Sequence, residues 1–251
     1  MSNPFSLEGK VALVTGGNTG IGQGIALALA AAGADIASVA RRNSDETVAK
    51  VQAMGRRAVS IQADLTSLEP LERVLDETTA LGPVDILVNN AGIIRRADAV
   101  DFTEQDWDDV MNVNLKVLFF LSQAAVKRMI ADGRGGKIIN TASMLSFQGG
   151  IRVPSYTASK SGVAGLTRLM ANEWGKHGIN ANAIAPGYFA TDNTRALQDD
   201  PVRSKEILGR IPAGRWGQPA DIGGAAVFLS SAASDYVQGI VLPVDGGWLA
   251  R

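Results

Sequence analysis

The chain has no cysteine, a single histidine and few aromatic residues. Without cysteine there can be no disulfide, thiolate nucleophile or thiolate metal site, and the composition fits a reducing cytoplasm, which is the expected compartment. The one histidine, His177, stands beside Gly178 at an expected helix end, where it reads as a surface residue meeting the helix dipole rather than as a catalyst. No His/Asp/Glu cluster has metal-ligand spacing, so no catalytic metal is expected. Neither sign of charge dominates: 24 basic against 25 acidic residues give a formal net charge of -1. Nothing in that balance suggests a polyanionic partner or a membrane surface. The longest small-apolar run, Ala26 to Ala32, is far shorter than the ~20 residues that span a bilayer. Met1 to Lys10 lacks a basic stretch followed by a long apolar one, so no signal peptide is expected.

What is present is an alternation of short apolar runs with amphipathic stretches. Val11 to Val14, Ile36 to Ala40, Val59 to Ile61, Ile86 to Val88, Lys137 to Asn140, Ala181 to Ala185 and Ile240 to Val244 read as seven strands. Runs that are apolar throughout, rather than alternating, belong to strands covered on both faces, as in a parallel sheet. Helical patterns lie between them: from Ile21 to Ala32, Asp45 to Met54, Leu68 to Leu81, one long helix from Glu104 to Ala131, Ser155 to Lys176 and Pro219 to Ser230. Repeated β-then-α order predicts an α/β fold with a doubly wound parallel sheet. No Pro/Gly/Ser-rich linker divides residues 1–251, so one domain is expected. Residues 188–217, polar and interrupted by Pro201 and Pro212, form the least regular stretch and read as a substrate lid.

Thr15-Gly16-Gly17-Asn18-Thr19-Gly20-Ile21-Gly22 falls at the first strand-to-helix turn. Glycines there let the backbone approach a pyrophosphate, while the helix N-terminus offers free N–H groups and partial positive charge. The GxxxGxG spacing differs from the commoner GxGxxG. The second strand ends Val39-Ala40-Arg41-Arg42, with no carboxylate to bind adenosine ribose hydroxyls, so Arg41 leans toward the 2′-phosphate of NADP. Solvated surface charge is the other reading of this pair. Asp64 and Leu65 follow the third strand, and Asn89-Asn90-Ala91-Gly92 ends the fourth. Asp64 is placed to contact an adenine.

Tyr156 and Lys160 are four residues apart on an expected helix and share a face. A free tyrosine titrates near ~10, and a neighbouring ammonium would favour the phenolate. Ser143, after a strand end, can hold a carbonyl oxygen as negative charge develops on it. Asn114 could anchor a water that carries protons toward Lys160. An anionic substrate needs a cation, and Arg95, Arg96 and Arg152 are the candidates. The four tryptophans read as packing residues, with Trp216 bordering the lid.

Thr15-Gly16-x-x-x-Gly20-Ile21-Gly22, Asn89-Asn90-Ala91-Gly92, Asn114, Ser143, Tyr156-x-x-x-Lys160 and Pro186-Gly187 occur in the order and spacing of the short-chain dehydrogenase/reductase family, which the chain resembles over nearly its whole length. The resemblance implies a single Rossmann domain that binds NAD or NADP through Gly16, Asn18, Thr19, Gly20, Ile21, Gly22, Arg41, Asp64, Leu65, Asn90, Ala91, Gly92, Tyr156, Lys160, Pro186, Gly187 and Thr191. It implies Tyr156 as acid/base, Lys160 on the nicotinamide ribose, Ser143 orienting substrate, Asn114 supporting a proton relay and Thr191 meeting the carboxamide. It also implies a homotetramer paired through the helices of Asn114 and Tyr156. Residues 142–156, 211–217 and 244–251 further resemble the group acting on 2-deoxy-D-gluconate or 2-dehydro-3-deoxy-D-gluconate, usually with NAD. The implied substrate is a keto/hydroxy sugar acid, met by Ser143, Arg95, Arg152 and Tyr188. Gluconate 5-dehydrogenases and 3-oxoacyl carrier-protein reductases share the same motifs. A catalytically silent nicotinamide sensor is the reading from another class, and it predicts the loss of Ser143, Tyr156 or Lys160.

Overall fold

The computed structural model describes residues 3–251, so Met1 and Ser2, which belong to the expected 1–251 domain, lie outside the described residues. Seven strands form one parallel sheet: β1 (Val11–Thr15), β2 (Asp35–Ala40), β3 (Ala58–Gln62), β4 (Ile86–Asn89), β5 (Gly136–Thr141), β6 (Ile179–Pro186) and β7 (Val241–Val244). Their spatial order is β3-β2-β1-β4-β5-β6-β7. The chain therefore winds outward from β1 to β3, returns to the centre at β4, and winds outward the other way. The reversal between β1 and β4 opens a crevice beyond their C-terminal ends, where ligands of such sheets bind.

The central strands β1 and β4 are buried throughout because both faces are covered. In β1, Val11 and Leu13 enter one core with Leu121, Met129 and Met170, whereas Ala12 and Val14 enter the other with Ile25, Leu29 and Leu229. Helices α3 (Leu71–Thr78), α5 (Leu118–Ala131) and α6 (Pro154–Trp174) cover the first face. Helices α1 (Gly20–Ala31), α2 (Asp45–Ala53) and α9 (Gly223–Ser230) cover the second.

Two expectations are corrected. The single helix predicted from Glu104 to Ala131 is instead α4 (Glu104–Met111), a π-helical turn (Asn112–Val117) and then α5. Asn114 lies inside that wider turn. Its Oδ1 accepts from the Ile93 N–H at 2.8 Å and its Nδ2 donates to the Ile93 carbonyl at 3.0 Å, which anchors the turn to the end of β4. Such π turns recur at functional sites. Residues 188–217 are also less irregular than predicted, because they hold α7 (Arg195–Gln198) and α8 (Pro201–Arg210). Pro201 starts α8 rather than breaking it: Asp200 caps the helix by accepting from the N–H groups of Val202 and Arg203.

Candidate active site

The first βα turn is built for close approach. Gly16 and Gly20 have φ of +66° and +55°, which a side chain would oppose. A Cβ on Gly22 would lie 2.0 Å from the Gly16 carbonyl oxygen, so only glycine lets α1 begin this close to the loop. Thr19, the N-cap of α1, makes no side-chain cap bond, which leaves the first N–H groups of the helix open to an anion. Thr15 and Asn90 join this turn to the end of β4. The Thr15 hydroxyl accepts from the N–H groups of Asn90 and Ala91, both at 3.0 Å, and Asn90 Nδ2 donates to the Thr15 carbonyl at 3.0 Å. Gly92 comes close to Asn114 Oδ1, 3.2 Å from where its Cβ would stand. The side-chain-free cradle and the open helix N-terminus fit a dinucleotide pyrophosphate.

Around this cradle, the Asn18 carbonyl accepts from Gln23 Nε2, and Ile21 packs at the edge of the core. Arg41 and Arg42 are exposed just past β2, and among the described residues neither forms an ion pair. Asp64 is exposed and accepts from the Thr66 N–H, while Leu65 beside it is buried. At the end of β6, Gly187 lies so close to Asp245 that a Cβ would meet the Asp245 backbone at 2.6 Å. Thr191 follows and reaches Gly20, with its Cγ2 3.4 Å from the position of a Cβ there. The two halves of the sheet therefore meet at the glycine turn.

Ser143, Tyr156 and Lys160 converge past the end of β5. Ser143 caps the short turn Met144–Ser146, and its Oγ accepts from the Leu145 N–H at 3.2 Å. Pro154 opens α6 and carries Tyr156 into its first turns, with Lys160 one turn on. Burial raises the Tyr156 pKa above the ordinary value; hydrogen bonding to Ser143 and the charge of Arg96 offset part of the rise. The expected lowering by Lys160 is absent from that balance. Its Nζ lies over the ring, 5.5 Å from the centroid, and donates to the Thr141 carbonyl at 2.6 Å. Lys160 is itself 3% exposed, and burial pulls its pKa down to about 8. Both N–H groups of the Asn114 amide are used, by the Ile93 carbonyl and by Ser159 Oγ at 3.3 Å, so what remains for a water is the second lone pair of Oδ1. Below the site, Asn89 donates to Ser122 and Asn140, and Asn140 donates to Thr167, in a buried chain linking β4 and β5 to α5 and α6. Sequence reading missed Thr15 as a tie, Ser159 as the partner of Asn114, and this asparagine chain. Only Thr15, written directly into the glycine motif, carried a signal.

The arginines divide. Arg95, expected to hold a carboxylate of the substrate, pairs with Asp106 at 3.3 Å and Asp109 at 2.9 Å. Arg152, expected to do the same, pairs with Asp98 at 2.9 Å and sits at φ +64°, alone among non-glycine residues in the left-handed region among those described. Both guanidinium groups therefore already carry protein carboxylates. Tyr188 packs edge-on to Trp216 and tilted on Trp248, in a small cluster with Met144, Ile207 and Ile211. This cluster ties residues 188–217 to the turn that follows Ser143. Burial raises the Tyr188 pKa, and Arg203 and Arg210 partly oppose it. Trp107 is exposed rather than packed. Among the described residues no group of three or more His, Asp or Glu side chains is arranged to hold a metal ion, and no helix is long and apolar enough to cross a membrane.

A family described as enoyl-(acyl carrier protein) reductase matches residues 16–249. The chain belongs to the short-chain dehydrogenase/reductase family. It is 65% identical over 248 residues, 98% of each chain, to a 2-dehydro-3-deoxy-D-gluconate 5-dehydrogenase of Escherichia coli K12. It is 62% identical over 99% of each chain to the enzyme of that name from Dickeya dadantii. Among solved structures, a protein of Agrobacterium tumefaciens provisionally assigned as a 2-deoxy-d-gluconate 3-dehydrogenase, with bound NADP, superposes over 100% of both chains with a TM-score of 0.94 at 63% identity.

Proposed function

We propose that this chain is an NAD(P)-dependent oxidoreductase that interconverts a keto sugar acid and its hydroxy form, with the activity of a 2-dehydro-3-deoxy-D-gluconate 5-dehydrogenase. The reading of the reaction is carried by one observation: Ser143, Tyr156 and Lys160 meet at the end of β5, beside the glycine cradle at the β1/β4 switch point. The choice of substrate is supported by the names of relatives that match end to end.

In reduction, the Ser143 hydroxyl donates to the substrate carbonyl oxygen and the Tyr156 phenol delivers its proton there. The raised pKa keeps that phenol protonated at neutral pH, ready to act as the acid. In oxidation, Tyr156 receives the proton instead. Lys160, held by the Thr141 carbonyl and lying over the Tyr156 ring, would hold the ribose of the cofactor and joins the relay that returns protons to Tyr156, with Asn114 holding the π turn behind it. The nicotinamide, when bound, supplies or accepts the hydride. Gly16, Asn18, Thr19, Gly20, Ile21 and Gly22 would cradle the pyrophosphate of the dinucleotide, Asp64 and Leu65 would border the adenine, and Asn90, Ala91, Gly92, Pro186, Gly187 and Thr191 would line the rest. Arg41, unpaired past β2, supports acceptance of a 2′-phosphate.

Residues 1–251 act as one dinucleotide-binding domain, with 188–217 as a lid and Tyr188 facing the substrate. The enzyme assembles as a homotetramer through α4, α5 and α6, a reading supported by Trp107, Phe120 and Leu169, which are exposed on those helices. It works in the cytoplasm. A carrier-protein reductase is disfavoured because Arg128, Arg134 and Lys137 are each paired with acidic side chains and form no open basic patch. Steady-state rates with NADH and NADPH, on keto sugar acids and on an acyl thioester, test this reading.

A further inference from the structure

Arg96 differs from the arginines Arg95, Arg152 and Arg195. Arg95 is held by Asp106 and Asp109, Arg152 by Asp98 and Arg195 by Asp192, whereas no carboxylate pairs with Arg96 among the described residues. Its one protein hydrogen bond runs from Nη2 to the Asn193 carbonyl, at a long 3.3 Å. A guanidinium has five N–H donors, so most of its capacity is unspent. Arg96 is also exposed, so its head group is accessible to an incoming anion.

Topology fixes where this side chain lies. Arg96 follows β4 and Asn193 follows β6, and β5 is the strand between them. A side chain tying those two segments together crosses above the end of β5, where Ser143 and Tyr156 meet. The Arg96 charge is felt by the Tyr156 phenol, as a position above the reacting atoms requires. Asn193 lies two residues past Thr191, which abuts Gly20, so the far end of the tie is the first turn of the segment that covers the cleft.

We propose that Arg96 binds the carboxylate of the substrate, exchanging its bond to the Asn193 carbonyl for a paired contact with the acid, and that this exchange couples recognition of the anion to the placement of the turn at Asp192–Thr194. The proposal rests on the sugar-acid reading above. It assigns to Arg96 a specificity role that Arg95 and Arg152, already neutralised, do not fill.

The test uses the keto sugar acid and its methyl ester, which keeps the reacting carbonyl and lacks the charge. For Arg96→Gln the KM for the acid should rise about 100-fold, the scale of a lost charge-assisted pair, with a much smaller change in kcat/KM for the ester. Arg96→Lys should recover part of the affinity for the acid. With the ester, the pH profile of kcat/KM should move to higher pH in Arg96→Gln but not in Arg96→Lys, because only the former removes the charge acting on Tyr156. Cofactor affinity of each variant, read by fluorescence, checks that the fold is intact. Equal losses on acid and ester, or an unchanged KM for the acid, would overturn the proposal. Wild-type enzyme that reduces neither compound would instead overturn the sugar-acid reading, and this proposal with it.

Discussion

Lys160 offers a prediction whose size follows from the structure. It is buried with one carbonyl partner, and its pKa falls from 10.5 to about 8. The difference corresponds to about 3 kcal/mol against the ammonium in the folded, cofactor-free enzyme. The sign follows from proton counts. Between pH 8 and 10.5 the unfolded chain holds the Lys160 proton more often than the folded one does, so stability rises with pH across that window. Below pH 8 both states are protonated and the penalty is present in full. From pH 7.5 to 9.5 the gain from this residue is about 2 kcal/mol. Lys160→Met keeps the aliphatic bulk and removes the titration. Urea unfolding of both proteins without cofactor, at equal concentration and at the two pH values, gives the difference between them. Wild type should gain about 2 kcal/mol on the variant as the pH rises. The window stops short of pH 10 because the raised pKa of Tyr156 acts in the opposite sense there: the unfolded phenol loses its proton first, and stability falls. A gap between the two proteins that does not change with pH would refute this account of Lys160.

Two further outcomes follow from the cofactor cradle. Gly22→Ala places a methyl 2.0 Å from the Gly16 carbonyl oxygen and 2.7 Å from its carbon, both backbone atoms that cannot swing away. NADPH affinity measured by fluorescence titration should fall at least tenfold (about 1.4 kcal/mol), and an unchanged Kd would show that the turn is not the pyrophosphate site. Arg41→Ala should raise the KM for NADPH by about tenfold while leaving that for NADH nearly unchanged, in keeping with the loss of one charge-assisted contact to a phosphate. An unaltered ratio of the two would return Arg41 to ordinary surface charge.

The sheet was legible because its strands carry their own evidence. β1 and β4 are apolar but for their last residues, Thr15 and Asn89, as suits strands covered on both faces, and the glycine turn marks where β1 ends. The pairing of Tyr156 with Lys160 was legible from helical spacing, whereas the convergence of Ser143 with them was implied by the family resemblance. The π turn was not. One extra residue in a helical turn leaves the apolar pattern of residues 104–131 almost intact, and its cause, the pairing of Asn114 with Ile93, joins residues 21 apart. Pro201 misled the reading of residues 188–217, because the same residue that ends a helix can begin one when Asp200 precedes it as a cap. The arginines were the least legible of all. Arg95 and Arg96 are neighbours in sequence with identical chemistry, and only the fold brings Asp106 and Asp109 to the first and leaves the second open.

Whether Tyr156 moves the proton while a keto sugar acid is reduced is decided by one comparison. Wild type and Tyr156→Phe are assayed side by side on 2-dehydro-3-deoxy-D-gluconate chemistry and on an acyl thioester, each with NADH and NADPH. Wild type should prefer the sugar acid, Tyr156→Phe should lose at least about a hundredfold in kcat, and the variant should bind cofactor almost as tightly as wild type. A preference for the thioester, or turnover by Tyr156→Phe at the wild-type rate, would contradict this reading.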